Sequence, residues 1–337
     1  MNHTLIFLVG FLLSSPLLGQ FTYEHVTVDY AAAITYKNLK LVPIRANKSF
    51  FDAAANPTIQ GITNALSLRD ALESGQLEIT DRAGVNRLLI DNLSNQSVIL
   101  MSGEVLKGGK QDRVIARDMV LPPNSNRNRV PVFCVEEKRW SSPKQWTYYH
   151  EGSMHLRRVV DQAQSQRNVW QEVAYELKKD NVPSKTRAYT NHSKNPQYAA
   201  LEAEYLQALR FDNFSYSNNI IGIIGVSGSV VIGCDLFASA DLFQREYPGL
   251  IFSYIDEGIT YGLPVDITDG AIRQYANKLL SNTRMQQAFI EQYGKAQAVD
   301  LLPRRQYAPT PCSGSGSKSK KCVARSGLRI EKRQRTE

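Results

Sequence analysis

The sequence predicts an α+β fold: a mainly antiparallel β-sheet with helices packed on one side, in one large domain followed by a disordered basic tail. Three observations carry this. Short β-branched runs bounded by Gly, Pro, Asn and Ser fill the first half of the chain. Apolar residues at helical spacing take over in Ser165–Asp180 and again after Ser239. The hydrophobic content of 42% suffices for a core, whereas the residues after Pro303 are low in complexity. The domain is placed at 21–302, with a helical insertion at about 141–215 and the tail at 303–337.

Residues 1–20 read as a secretory signal peptide. Leu5–Leu13 is an apolar run too short to span a bilayer, followed by Ser14-Ser15-Pro16 and small Gly19. Cleavage is expected after Gly19 or Gln20, which implies a secreted or periplasmic protein.

Phe21–Tyr30 alternates and predicts a strand, and Leu39–Arg45 predicts another, with Pro43 at an edge or bulge. Ser67 as N-cap, Asp70 three residues on and Gly75 as the stop frame a short helix. Leu77–Thr80, Arg87–Asp91 and Ser97–Met101 are short strands; with the hairpin described next they make a sheet of about six strands. Further on, Val169, Trp170, Val173 and Leu177, then Leu201, Tyr205, Leu206 and Leu209, mark two packing helices. Ile220–Val226 and Ser229–Leu236 predict a second hairpin. Ser239–Tyr247, Gly249–Glu257, Asp269–Leu280 and Thr283–Tyr293 predict helices capped at Ser239, Asp269 and Ser281. Asp235 reads as a cap for the first of these or as a member of the charged cluster below.

The stretch Gly103–Trp140 organises the rest. Val114–Leu121 and Val130–Val135 are apolar runs of strand length, joined by a Pro-Pro-Asn-Ser loop. Pairing Leu121 with Val130 sets Val114 opposite Glu137, Arg113 opposite Lys138, Asp112 opposite Arg139 and Gln111 opposite Trp140. Lys110, Gln111, Asp112 and Arg113 then meet Glu136, Glu137, Arg139 and Trp140 at one end of the sheet. Two readings stay open: a polar pocket with Gly103, Gly108 and Gly109 admitting a ligand to the backbone, or an ion-pair network pinning the strand ends.

The segments GEVLKGGKQDRV, VPVFCVEEKRW and GIIGVSGSVVIGCDLFASADLF resemble the ARPP domain, the ARG and rhodanese-phosphatase-superfamily associated protein domain. Gly103, Gly108, Gly109, Lys110, Gln111, Asp112 and Arg113 match one motif. Cys134, Val135, Glu136, Arg139 and Trp140 match a second, and Asp235, Leu236 and Phe237 a third. Lys138 stands where the family often has glycine. The likeness spans roughly 39–293. It implies no particular reaction; the family's name records neighbours acting on ADP-ribose and phosphate esters, which implies by association a nucleotide-like ligand.

Several chemistries are disfavoured. His150 and His155 are five apart, so one helical face cannot present both to zinc. Cys134, Cys234, Cys312 and Cys322 lack metal-site spacing; Cys312–Cys322 would close a small loop in the tail, and Cys134 and Cys234 either bridge the hairpins or stay buried thiols. The glycines after Ile220 form no dinucleotide fingerprint, and Ser227 no nucleophile elbow. No metal or cofactor is expected. Residues 311–337 hold eight Lys or Arg against two Glu, so most of the net charge of +8 belongs to the tail. That tail can contact anionic envelope polymer or lipid, or act as a solubilising spacer. Without interleaved aromatics, specific nucleic-acid recognition is not expected.

Three function classes remain. The first is recognition of a small anionic ligand, nucleotide- or sugar-phosphate-like, by Lys110, Gln111, Asp112, Arg113, Glu136, Arg139 and Trp140, with Trp140 stacking on a ring. The second is a hydrolase in which Glu136 or Asp112 is the general base. The third is an envelope interaction module whose charges are structural.

Overall fold

The computed structural model describes residues 22–50, 64–81, 84–139, 144–163, 165–281 and 304–307. The expected signal peptide, Trp140, Cys312, Cys322, the helix from Thr283 and all of the tail except 304–307 lie outside them. In chain order come β1 (Val26–Val28), β2 (Ile34–Tyr36), β3 (Leu39–Ala46), β4 (Leu66–Ser67), α1 (Leu68–Glu73), β5 (Leu77–Thr80), β6 (Arg87–Asn92), β7 (Val98–Leu100), β8 (Glu104–Gly109), β9 (Arg113–Ile115), β10 (Met119–Leu121), β11 (Ser125–Cys134) and β12 (Lys144–Glu151). Then follow α2 (Met154–Arg158), α3 (Gln166–Lys179), α4 (Pro196–Ala208), β13 (Ile220–Ser227), β14 (Val230–Leu236), α5 (Ala240–Thr260), α6 (Asp269–Leu280) and β15 (Arg304–Tyr307).

The protein is α+β with mainly antiparallel sheets. Among the described residues the strands form two six-stranded sheets and a three-stranded one, rather than the single sheet expected. The first runs β1-β3-β13-β14-β15, with β2 also on β3. Alternation sorts its side chains onto two buried faces. Leu39, Leu41 and Ile223 pack against Leu250, Tyr254 and Ile255 of α5. Val42, Ile44, Ile221 and Ile224 pack against Ile272, Tyr275 and Leu279 of α6. The second sheet runs β12-β8-β9-β11-β6-β5. One of its faces meets α1 and the small β10-β7-β4 sheet through Leu68, Leu88, Ile90, Leu100, Val130 and Val132. The other meets α2 and α3 through Val105, Val114, Leu156, Val169 and Val173.

Local signals behave as their chemistry dictates. Ser67 Oγ accepts from Asp70 N at 2.9 Å, and Gly75 follows the helix with φ +70°. Ser239 caps α5, while Thr268 rather than Asp269 caps α6. Three segments differ from expectation because their partners are distant in sequence. Lys144–Glu151, assigned to a helical insertion, is a strand on β8. Arg304–Tyr307, assigned to the tail, pairs with β14. The helices expected on either side of Pro248 are one helix, α5. Pro248 removes one backbone donor, but Tyr247, Leu250, Ile251 and Tyr254 are all buried on the same core, and that packing carries the helix through.

Two buried polar networks join the layers. Arg157 is fully buried on α2; its guanidinium donates to Asp235 on β14 at 2.6 and 3.1 Å and to Ser253 on α5 at 3.1 Å, and lies 3.2 Å from Glu151. Asp235 therefore ties the first sheet to α2 instead of capping α5. Its carboxylate also accepts from Tyr254 at 2.6 Å. In the second network Asp256 accepts from Tyr189 at 2.6 Å and Tyr198 at 2.8 Å. Burial and the nearby Asp256 charge push the Glu202 carboxyl up to about 8, and burial drives Glu176 upward as well.

Removing one side of a buried pair leaves the other charge uncompensated, which costs about 3–5 kcal/mol. Arg157→Met is expected to lose that much in urea unfolding, and a loss under about 1 kcal/mol would mean the pair is not holding the layers. Glu202 holds its proton more tightly folded than unfolded. Its contribution is thus complete below the unfolded value near 4.5 and is lost as pH rises toward about 8. Glu202→Gln should flatten, though not abolish, the fall of the unfolding midpoint over that range, since Glu176 acts in the same direction. An unaltered slope would count against the assignment.

Candidate functional site

Strand pairing brings the two polar runs side by side, but in a register four residues from the expected one. Cys134 pairs with Arg113, Phe133 with Val114 and Val132 with Ile115. The simple hairpin fails because Met119–Leu121 leaves it to pair with Leu100–Val98 in the small sheet. Residues at the start of β11 pair with β6 instead. An even shift keeps every side chain on its face, so the cluster still assembles.

Its base is the turn between β8 and β9. Gly108 has φ +138°, and a Cβ there would stand 2.4 Å from the Gln145 carbonyl; Gly109 has φ +48°, and a Cβ there would stand 2.2 Å from the Trp146 ring. Both positions need glycine for conformation and for space. Gly108 N donates to Asp112 Oδ1 at 2.9 Å, closing the turn.

Arg139 then fills the turn from the other side. Its Nε donates to Glu136 Oε2 at 2.6 Å, Nη1 to the Gly109 carbonyl at 2.8 Å, and Nη2 to the Gly108 carbonyl at 2.9 Å and Asp112 Oδ1 at 3.0 Å. Glu136 also accepts from Asp112 N at 3.2 Å, and Asp112 from Thr190 Oγ1 at 2.6 Å. Gln111 donates to the Glu136 carbonyl at 2.7 Å. Arg113, fully buried, reaches Gln111 Oε1 at 3.2 Å, Cys134 Sγ at 2.6 Å and Asp81 at 3.4 Å. Lys110 N donates to Asp81 at 3.2 Å.

Of the two readings open from the sequence, these side chains have the geometry of the ion-pair network. Gln111, Asp112, Arg113 and Glu136 are buried and bond to one another and to Arg139. The candidate bases Asp112 and Glu136 both spend carboxylate oxygens on Arg139. Burial pushes the Cys134 thiol up, against the opposing pull of the Arg113 charge. Cys134 and Cys234 are both free, buried thiols in different sheets. His150, next to last in β12, places Nδ1 2.6 Å from the Glu151 carbonyl oxygen, while His155 on α2 faces Glu257 at 2.7 Å. Asp81, Thr190 and Ala188, which pairs with Glu136 as an isolated bridge, complete the network from segments that the sequence did not link to it.

A second feature lies on the same sheet. Past the point where α3 covers it, the sheet opens into a groove of about 490 Å³ lined by Arg87, Ala116, Arg117, Arg129, Pro131 and Phe133. Arg87 pairs with Pro131, and Ala116 N donates to the Pro131 carbonyl at 3.0 Å. Arg87, Arg117 and Arg129 are exposed, and none has an ion pair among the described residues. The sequence signal was the i, i+2, i+4 spacing of Arg129, Pro131 and Phe133, legible only once β6 and the 116–117 segment are known to flank them.

Fold and site together define a sheet-based domain with a closed charged joint and an open arginine groove beside it. The chain belongs to the ARG and Rhodanese-Phosphatase-superfamily-associated Protein domain family, whose model matches residues 27–302. No curated protein and no solved structure compared with it matches.

Arg139 meets four acceptors, a task the single ammonium of lysine cannot perform in one plane. Both Arg139→Lys and Arg139→Met should therefore destabilise the protein, the methionine variant by about 3–5 kcal/mol in urea unfolding. A neutral result for both would show that the turn closes without it.

Proposed function

We propose that this is a small-anion recognition protein, exported to a secreted or periplasmic location, whose ligand lies in the Arg87–Arg117–Arg129 groove. The observation that carries the reading is the convergence of three exposed guanidinium groups, unpaired among the described residues, on one concave surface whose described lining holds no carboxylate. Like charges held together on a surface repel, and an anion removes that repulsion while accepting charge-assisted hydrogen bonds. Guanidinium is also the side chain best matched to phosphate and carboxylate oxygens. The export half of the proposal rests on residues 1–20, with their short apolar run and small residues before the expected cleavage point.

In this reading Lys110, Gln111, Asp112, Arg113, Glu136 and Arg139 act as the frame. They fix β9 against β11; Arg129 is presented from β11 and Arg117 from the segment that follows β9.

Calorimetric titration with inorganic pyrophosphate tests this directly. Arg117→Gln and Arg129→Gln should each weaken binding roughly five- to tenfold, about 1–1.4 kcal/mol. Being exposed, they should leave unfolding within about 0.5 kcal/mol of the parent. Affinity should also fall as salt is raised. Variants that bind like the parent would remove the groove from consideration.

A further inference from the structure

Resting on that reading of the groove as an anion site, we infer that its ligand carries a planar ring as well as negative charge, the chemistry of a nucleoside phosphate. The ring lies over Phe133, and the phosphates lie among Arg87, Arg117 and Arg129.

The groove is polarised along one strand. Arg129, Pro131 and Phe133 alternate onto the same face of β11, each step of two residues advancing about 6.8 Å. Arg87 lies directly across from Pro131 on β6, and Arg117 follows Ala116, whose N–H bonds the Pro131 carbonyl on the other flank. The three cationic groups thus gather at and beyond Pro131. Phe133 stands at the opposite end, where the sheet begins to be covered by α3.

Phe133 is only half-buried. Its backbone neighbour Cys134 is what α3 grips: the Gln166 amide accepts from Cys134 N and donates to the Cys134 carbonyl, both at 2.8 Å. That pair of bonds stops the helix at the edge of Phe133 and leaves part of the ring lining the groove. Ala116 and Pro131 continue the apolar floor. An inorganic anion would engage the arginines and leave this floor wet. A nucleoside diphosphate would use both ends, stacking its base on the ring and matching the guanidinium charges with its phosphates.

The test compares ADP, UDP, pyrophosphate and adenosine by calorimetry on the full chain. The nucleoside diphosphates are expected to bind at least tenfold tighter than pyrophosphate, about 1.4 kcal/mol, with adenosine weaker than either. Phe133→Leu should bring ADP to within about twofold of pyrophosphate when both are measured on that variant. Where that variant does not fold, saturation transfer from the Phe133 ring to the base protons of bound ADP is the readout in the parent protein. Equal affinities for ADP and pyrophosphate, or no transfer from Phe133, overturn the ring inference and leave the anion site standing. If neither ADP nor pyrophosphate binds, both fall. Binding of an acidic peptide without binding of ADP also overturns the nucleoside phosphate.

Discussion

The structure turns on how the Gly108-Gly109 turn is closed. Two consecutive glycines with positive φ leave their carbonyls pointing into the protein, with a tryptophan ring pressed against the turn. A buried carbonyl without a partner is costly. Arg139 supplies the donors to both and is itself neutralised by Asp112 and Glu136. Taking these charges out of water costs several kcal/mol per ion, so the network is weak evidence for added stability. What it specifies is register. Arg113 reaches Cys134, and Asp112 N reaches Glu136, only when Cys134 sits opposite Arg113. A slip of two residues keeps the faces and breaks these bonds.

Register decides the fate of chemically identical side chains. Arg113 and Arg139 are spent inside the joint, whereas Arg87, Arg117 and Arg129 stand free of ion pairs among the described residues. The difference is coverage. Helix α3 is pinned at Cys134 through Gln166, and among the described residues no helix lines the face beyond Phe133. A charge network therefore ends, and a cationic surface begins, within a few residues of the same strand.

Much of this was legible locally. Ile220–Leu236 announced a central hairpin, Ser67 with Asp70 a helix start, and the apolar spacing of Val169, Val173 and Leu177 a packed helix. The family motifs were legible too, and the described polar residues of the first two, Gln111, Asp112, Arg113, Glu136 and Arg139, do meet, whereas Asp235 of the third lies with Arg157. What failed was pairing between distant segments. Nothing near Leu66 says that it lies parallel to Val98, nor anything near Met119 that it deserts the hairpin for Leu100. Asp235 looked like a helix cap because helix caps are local; its partner Arg157 is seventy-eight residues away. Thr190 joined the cluster from the expected helical insertion, and Asp81 from just past the strand expected at Leu77–Thr80. The groove was hidden for the same reason, since Arg87, Arg117 and Arg129 become neighbours only across three chain segments.

Magnitudes explain why the joint and the groove belong together. Ordering three arginine side chains on a ligand costs roughly 0.5–1.5 kcal/mol each, on top of the cost of association itself. Charge-assisted hydrogen bonds return about 1.5–3 kcal/mol each. The margin left to a small anion is narrow, and it vanishes if the strands bearing the arginines also need to be brought into place. A rigid frame removes that further cost. Arg139, Glu136 and Asp112 hold β8 and β9 in register with the end of β11, and Gln166 holds α3 clear of the groove. On the proposed reading of the groove, the buried charges contribute to recognition without touching what is recognised, by fixing in advance the distance between the segments that do.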